Sequence, residues 1–354
     1  MKGLILSGGK GTRLRPLTFT SAKQLVPVAN KPVLFYGIEA MVAAGIRDLG
    51  IVVGDTHEEV RAAVGDGSAF GCRVTYIMQP EPLGLAHAVK VSRDYLSDSP
   101  FVMYLGDNLL AHGIVSLVRE FEASRPTALI LLARVPHPEQ FGVAELVGGR
   151  VVRLEEKPKT PRSDLALVGV YMFMPRIFEA VDAIRPSSRG ELEITDAIQY
   201  LIDHQAVVSP HVVDGWWKDT GKLDDMLEAN RLVLETLERR IDGEVRGRCQ
   251  IDGRVVIERG ALIEDSVVRG PAIVGPNARV TRAYVGPFTA LGPEVVVQDS
   301  EVEHSIVLEG SAIVDLRGRV EDSLIGRQCR IHRSPLMPRA LRLMVGDRGE
   351  VGIP

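Results

Sequence analysis

The sequence predicts an α/β chain in two parts, an open sheet with helices on both faces followed by a parallel β-helix. Three observations predict it. A short apolar strand at 4–6 runs straight into Gly8, Gly9 and Gly11. Apolar strand-like runs then alternate with helical patterns as far as Asp242, the signature of a sheet covered by helices. After Gly243 the period changes, and an aliphatic residue returns every five to seven positions. The expected domains are therefore 1–242 and 243–354.

In order, the expected strands of the first part are 4–6, 49–53, 74–78, 101–105, 128–135 and 168–173. A helix is expected over 32–44, with Leu34, Ile38, Met41 and Val42 on one face and Gly45 as its stop. A second helix is expected over 221–240, where Leu223, Met226, Leu227, Leu234 and Leu237 form a stripe opposite the charges. Beyond it, Ile257, Ile263, Val268, Val274 and Val280 begin a series that continues to Ile325 and Ile331. Neither a helix nor a single strand has that period, whereas a hexapeptide-repeat β-helix places one inward aliphatic on each short strand.

The bounds are ordinary. A chain of 354 residues has ample material for a core, and a net charge of −4 supplies no basic field for nucleic acid. Cys72, Cys249 and Cys329 are far apart and form no metal or disulfide spacing, so they read as thiols of a reducing, cytoplasmic compartment. The amino-terminal apolar run is too short for a signal peptide, and the longest apolar run, 165–175, is too short to span a bilayer. No membrane partner is expected.

The glycine loop after the first strand reads as the wall of a phosphate site. Without a Cβ, Gly8 and Gly11 let backbone N–H groups approach an anion, and Arg13 and Lys23 can neutralise its charge. No Walker A string follows this strand, and the G-G-x-G spacing with no acid in 26–31 does not fit a dinucleotide fingerprint. Asp107 and Asn108 end a buried strand, where hard oxygen ligands suit Mg²⁺ bound to substrate phosphates; a turn cap is the plainer reading of the aspartate. Asp219, in Trp216-Trp-Lys-Asp-Thr-Gly, is the second carboxylate of that kind. Glu156 and Lys157 read either as a solvated ion pair or as groups that hold a sugar phosphate and its hydroxyls. Gln79 and Gly84 can read a base edge, since an amide both donates and accepts, although Pro80, Pro82 and Gly84 also make an ordinary loop. His87 and His137 have no partners at catalytic spacing and read as structural or surface residues.

Taken together, Gly8-Gly-Lys-Gly-Thr-Arg-Leu, Lys23-Gln-Leu-Val-Pro, Leu105-Gly-Asp-Asn, Phe141-Gly-Val, Leu154-Glu-Glu-Lys-Pro, Gly190-Glu-Leu-Glu-Ile-Thr-Asp and Trp217-Lys-Asp-Thr-Gly follow the order seen in the sugar nucleotidyltransferases. The chain most resembles the long-form thymidylyltransferases of that family. The resemblance implies a Rossmann-like open mixed sheet, a carboxyl-terminal left-handed β-helix, dTTP and glucose 1-phosphate as substrates, Mg²⁺ as cofactor and a homo-oligomer. It also implies roles. Gly8, Gly11, Thr12 and Arg13 would hold the triphosphate, with Arg13 and Lys23 on the departing phosphates. Gln24, Gln79 and Gly84 would surround the base, and Asp107 and Asp219 would ligate Mg²⁺. Gly142, Glu156, Lys157 and Leu167 would line the sugar phosphate pocket, with Lys157 on the phosphate. Phe141, Leu83 and Lys218 depart from the short-form enzymes. UTP in place of dTTP, a non-catalytic regulatory subunit and an acetyltransferase built on His304 and His332 remain open as alternatives.

Overall fold

The computed structural model describes residues 1–334 except Lys10, Pro16, Thr20 and Ser21, together with residues 351–352. The chain clusters into two compact units. The first comprises Met1–Lys10, Ser21–Leu25 and Val33–Asp219; the second comprises Gly11–Thr20, Val26–Pro32 and Thr220–Pro354.

The first unit is built on nine strands: β1 (Lys2–Leu6), β2 (Asp48–Val53), β3 (Arg73–Met78), β4 (Phe101–Leu105), β5 (Ala128–Arg134), β6 (Gly142–Val147), β7 (Arg150–Glu156), β8 (Leu165–Phe173) and β9 (Val208–Val212). Their order is β7-β6-β8-β4-β1-β2-β3, with β5 also paired to β8 and β9 to β5. Strands β4, β1, β2 and β3 are mutually parallel. Strand β8 runs antiparallel to β4, β5 and β6, so the sheet is mixed.

Both faces are buried, which explains why these strands read as unbroken apolar runs. Successive residues point to opposite faces. Leu4, Leu6, Phe101, Met103 and Phe173 pack under Leu85–Val91, Ile177–Ala183 and Ile194–Asp203. Ile5, Val102, Tyr104, Val170 and Met172 face Val33–Ala43, His57–Val64 and Val115–Ser124. The first of these helices stops where expected, since Gly45 takes φ +83° and its N–H bonds the Val42 carbonyl at 3.0 Å. The β6–β7 hairpin is absent from the expected strands. Its signal was the pair Gly148-Gly149, both at positive φ.

In the second unit the expected repeat forms three parallel sheets of six, six and five strands. Coils stack 17 residues apart along most of the array, Ile257 pairing with Val274 and Val274 with Leu291. Ile263, Val280 and Val297 stack in the second sheet, and Val268, Val285 and Val302 in the third. Each inward aliphatic therefore sits above its counterpart and shares one dry core.

The helix expected over 221–240 is shorter, spanning Leu223–Leu234. After Leu234 the N–H groups of Thr236 and Leu237 bond carbonyls three residues back, and Arg254 Nη1 donates to the Glu235 carbonyl at 2.5 Å. The chain then enters the β-helix as Arg240–Ile241, paired with Val256–Ile257. The contact division falls at Asp219/Thr220, whereas the change of repeat falls at 242/243, because this helix packs with the second unit.

Candidate active site

Strand β1 delivers Gly8 and Gly9 to the carboxyl edge of the sheet, the usual place for ligands in open α/β folds. Beside them lies a cavity of about 270 Å³, lined by Gly8, Lys23, Gln24, Gln79, Gly84 and Asp107 among others. Its size is close to the lower end of small-ligand pockets, about 300 Å³. Six residues expected from four separate stretches of sequence thus face one space.

The glycines are there because neighbours leave no room. A Cβ on Gly8 would stand 3.1 Å from Gln79 Oε1, and one on Gly9 would stand 3.0 Å from Lys23 Cε. Gly84 takes φ +102°, and a Cβ there would lie 2.5 Å from the Leu192 carbonyl. The loop carrying Gly190-Glu-Leu-Glu therefore closes over it, with Leu192 N–H bonded to Leu83 O at 2.8 Å. Gln79 Nε2 donates to Gly84 O at 3.3 Å and meets His87 Nδ1 at 3.1 Å. His87, read from sequence as structural or surface, thus orients a cavity amide. Gln24 is buried, and its Oε1 has no hydrogen-bond partner among the described residues. A buried acceptor left unmatched costs about 1–3 kcal/mol, which a donor on a ligand would recover.

Lys23 Nζ pairs with Asp107 Oδ2. Burial alone would push the Asp107 carboxyl up, but the Lys23 charge and the hydrogen bonds from Lys23 and Asn108 outweigh it, so it titrates below the usual aspartate range. Asn108 is a brace. Its Nδ2 donates to Asp107 Oδ1 at 3.0 Å, and its Oδ1 accepts from Trp217 Nε1 at 2.6 Å and Gly169 N at 3.2 Å. With two donors already on that oxygen, the Asn108 side chain orients Asp107. The strand Trp217–Asp219 pairs antiparallel with Asn108–Leu110 and sets Asp219 opposite Asn108. Asp107 immediately precedes this small ribbon, and Asp219 lies on it opposite Asn108.

The other expected pocket also converges. Gly142 pairs with Glu156 across the hairpin, and a Cβ on Gly142 would meet Thr195 Cγ2 at 2.6 Å, Leu167 Cδ1 at 2.9 Å and Glu156 Oε2 at 3.1 Å. Lys157 takes φ +44°, its N–H bonds Phe141 O at 3.0 Å, and its Nζ lies 3.7 Å from Glu156 Oε1. Arg189 ties this pocket to the first. It reaches Glu156 at 3.3 Å, Glu191 at 3.1 Å and Glu193 at 3.4 Å, and Glu191 lines the cavity. Burial, assisted by the nearby Glu156 and Glu191 charges, raises the Glu193 carboxyl against the opposing bonds from Ser187 and Arg189.

A family model described as "Nucleotidyl transferase" matches residues 2–236. The chain belongs to the nucleotidyl transferase family. Glucose-1-phosphate thymidylyltransferase of Streptomyces griseus is 60% identical over 354 residues, covering 100% of this chain and 99% of that relative. The enzyme of the same name from Streptomyces antibioticus is 57% identical over 355 residues, with coverage of 100% and 99%. A crystal structure of a putative glucose-1-phosphate thymidylyltransferase from Bacillus anthracis, in complex with a sucrose, superposes with a TM-score of 0.62 at 36% identity, covering 66% of this chain and 94% of that one.

In this nucleotidyltransferase, Gly11, Thr12 and Arg13 fall in the Gly11–Thr20 segment that clusters with the second unit. Gly11 takes φ +60° and opens a 3₁₀ turn over Thr12–Leu14, with Thr12 and Arg13 exposed. Sequence reasoning missed Arg189, His87, Trp217 and Thr195 as working residues. Thr195 and Trp217 lay in motifs quoted whole, and Arg189 immediately precedes Gly190. No helix among the described residues is long and apolar enough to cross a membrane.

Proposed function

We propose that this transferase joins dTTP to glucose 1-phosphate, releasing pyrophosphate and forming dTDP-glucose. The observation that carries the reading is the single cavity shared by Gly8, Lys23, Gln24, Gln79, Gly84 and Asp107. Two full-length relatives bearing the corresponding name support it.

Charge dictates the mechanism. A sugar phosphate with a second pKa of roughly 6 is mostly a dianion at neutral pH, so its oxygen is already a nucleophile. No general base is required. The protein must align that oxygen with the α-phosphorus opposite pyrophosphate and offset the repulsion between two anions. Lys157 takes the sugar phosphate, while Glu156 and the backbone at Gly142 receive the sugar hydroxyls beside Leu167. Lys23 and Arg13 carry the charge that accumulates on pyrophosphate. The glycine loop, with Gly11 and Thr12, gives N–H groups to the triphosphate. Gln79 and Gly84 frame the base, and the unmatched Gln24 oxygen suits a base with an N–H on its pairing edge, as thymine has.

The donor set fits a divalent cation. Asp107 stays ionised, and Asp219 lies in register with the next residue, Asn108; the two are hard carboxylates of the number Mg²⁺ uses when substrate phosphates supply other oxygens. These two residues would hold Mg²⁺, which supplies charge neutralisation at the phosphates. Lys23 must then exchange its bond with Asp107 for phosphate oxygens. The first part, 1–242, is the catalytic domain of this reading, and the second, 243–354, is the β-helix domain, of which 335–350 and 353–354 lie outside the described residues; a homo-oligomer belongs to the same reading. Three dispersed free thiols fit a cytoplasmic setting.

Pyrophosphate release measured with glucose 1-phosphate and Mg²⁺, offering dTTP, UTP, CTP, ATP and GTP separately, tests the reading. Release fastest with dTTP is expected. A preference for UTP would rename the nucleotide, and no release with any of the five would overturn the activity.

A further inference from the structure

We infer that His87 sets which pyrimidine the cavity accepts, by fixing the polarity of the Gln79 side chain. All the residues concerned belong to the first unit. A side-chain amide is ambiguous: one end donates and the other accepts, so a glutamine by itself serves either of two opposite base edges. Its neighbours decide. Gln79 follows strand β3, is buried, and places its N–H on the Val53 carbonyl at 2.8 Å. Its Nε2 lies 3.3 Å from Gly84 O, and since a carbonyl only accepts, the NH2 end must be the one that faces it. The same Nε2 meets His87 Nδ1 at 3.1 Å. Nδ1 is therefore the ring nitrogen without a hydrogen, and both amide hydrogens are spent inside the protein.

The carbonyl end is left for the ligand. Gln79 Oε1 lies on the side of the glycine loop, 3.1 Å from where a Cβ on Gly8 would stand, and Gln79 and Gly8 both line the cavity. Gln24, on the same cavity, adds its unmatched acceptor Oε1. Oxygens there suit a base whose pairing edge carries a ring N–H, as N3 does in thymine and uracil. Cytosine presents a lone pair at N3 and would set acceptor against acceptor. A site built around a hydrogen bond rejects a near-isostere that cannot make it, because its own polar group is then left unpaired.

The helix Leu85–Val91 begins at Gly84 and carries His87 in its first turn, so both acceptors that hold the amide come from one short stretch. His87 is a positioning residue: it acts on the base through Gln79 alone. This inference rests on the proposed place of Gln79 at the base, and its test separates the two.

Binding of dTTP and dCTP is compared by isothermal titration without glucose 1-phosphate, and pyrophosphate release is compared with it. Wild type should favour dTTP in both. In His87→Lys the ammonium only donates, so Gln79 turns its oxygen away from the base; the preference for dTTP over dCTP should fall by about tenfold, the scale of one hydrogen bond. The glucose 1-phosphate KM should stay within about twofold, because the amide touches the base alone. His87→Gln keeps an acceptor for the Gln79 NH2 and should hold the preference within about threefold of wild type. In a Gln79→Ala background, His87→Lys should change the preference no further. A merely structural histidine would weaken both nucleotides together, and that unchanged preference in His87→Lys overturns the assignment. So does a loss in His87→Gln as large as in His87→Lys, an undiminished effect of His87→Lys without Gln79, or wild-type binding that does not favour dTTP. The titrations need no turnover, so a wild type that binds dTTP but releases no pyrophosphate would sink the activity while the binding ratios still decide the role of His87.

Discussion

The β-helix and the cavity at the end of β1 are built by opposite rules. In the β-helix every coil repeats the same decision, one aliphatic inward per short strand, stacked on the equivalent residue of the coil before. Around the cavity no two residues do the same thing, and key hydrogen bonds join positions far apart in sequence, as Lys23 with Asp107 and Asn108 with Trp217. Redundancy makes the first region tolerant in kind and sensitive in volume. The second is the reverse: small changes of charge or a single methyl alter the chemistry while the fold survives.

That contrast makes graded claims. The largest effect belongs to Asp107→Asn, which keeps the shape, discharges one member of the Lys23 pair and removes a carboxylate proposed to hold Mg²⁺; kcat/KM should fall ~10³-fold, by analogy with losing preorganised charge stabilisation. The Tm should move by only a few degrees. Next is Ile263→Ala in the β-helix core, where a fully buried side chain becomes a cavity. Denaturant unfolding should show a loss of about 2–5 kcal/mol with kcat unchanged at 25 °C. Smaller again is Gly142→Ala, whose Cβ would press on Thr195, Leu167 and Glu156. It should raise the glucose 1-phosphate KM by about tenfold, the scale of a modest pocket clash, and spare the nucleotide KM.

The smallest effect is expected at Arg282, whose guanidinium grips Asp299 at 2.7 Å on the β-helix surface and holds that carboxyl down to about 2. A depressed carboxylate stabilises the fold above its unfolded pKa and loses that contribution as pH falls through the folded value. For Asp299 the window lies between the ordinary aspartate range and about pH 2. Because the pair is exposed, Arg282→Gln should leave the Tm at pH 7 unchanged within error. An NMR titration should show the Asp299 midpoint return toward the ordinary range.

The same contrast decides how much was legible in the sequence. Ile257, Ile263, Val268 and their successors were readable because a period needs no partner to be seen. Gly8, Gln79 and Asp107 were readable as residue types after strands, but their meeting in one cavity depends on strand order, which no local pattern encodes. Arg189 and His87 act by orienting Glu156 and Gln79, and a side chain whose work is to aim another leaves no spacing of its own. The helix expected over 221–240 ran too long because Leu237 continues the stripe. The helix nonetheless ends at Leu234, where the N–H groups of Thr236 and Leu237 bond carbonyls three residues back and Arg254 takes the Glu235 carbonyl.

The chemical course at phosphorus tests most directly whether this site aligns two phosphates and does nothing covalent itself. Turnover of a single diastereomer of the α-thio analogue of dTTP with glucose 1-phosphate, followed by ³¹P assignment of the product, should give inversion at the α-phosphorus. Retention would require two displacements through a nucleotidyl-enzyme intermediate and would contradict the direct attack argued from Lys23, Lys157 and Asp107.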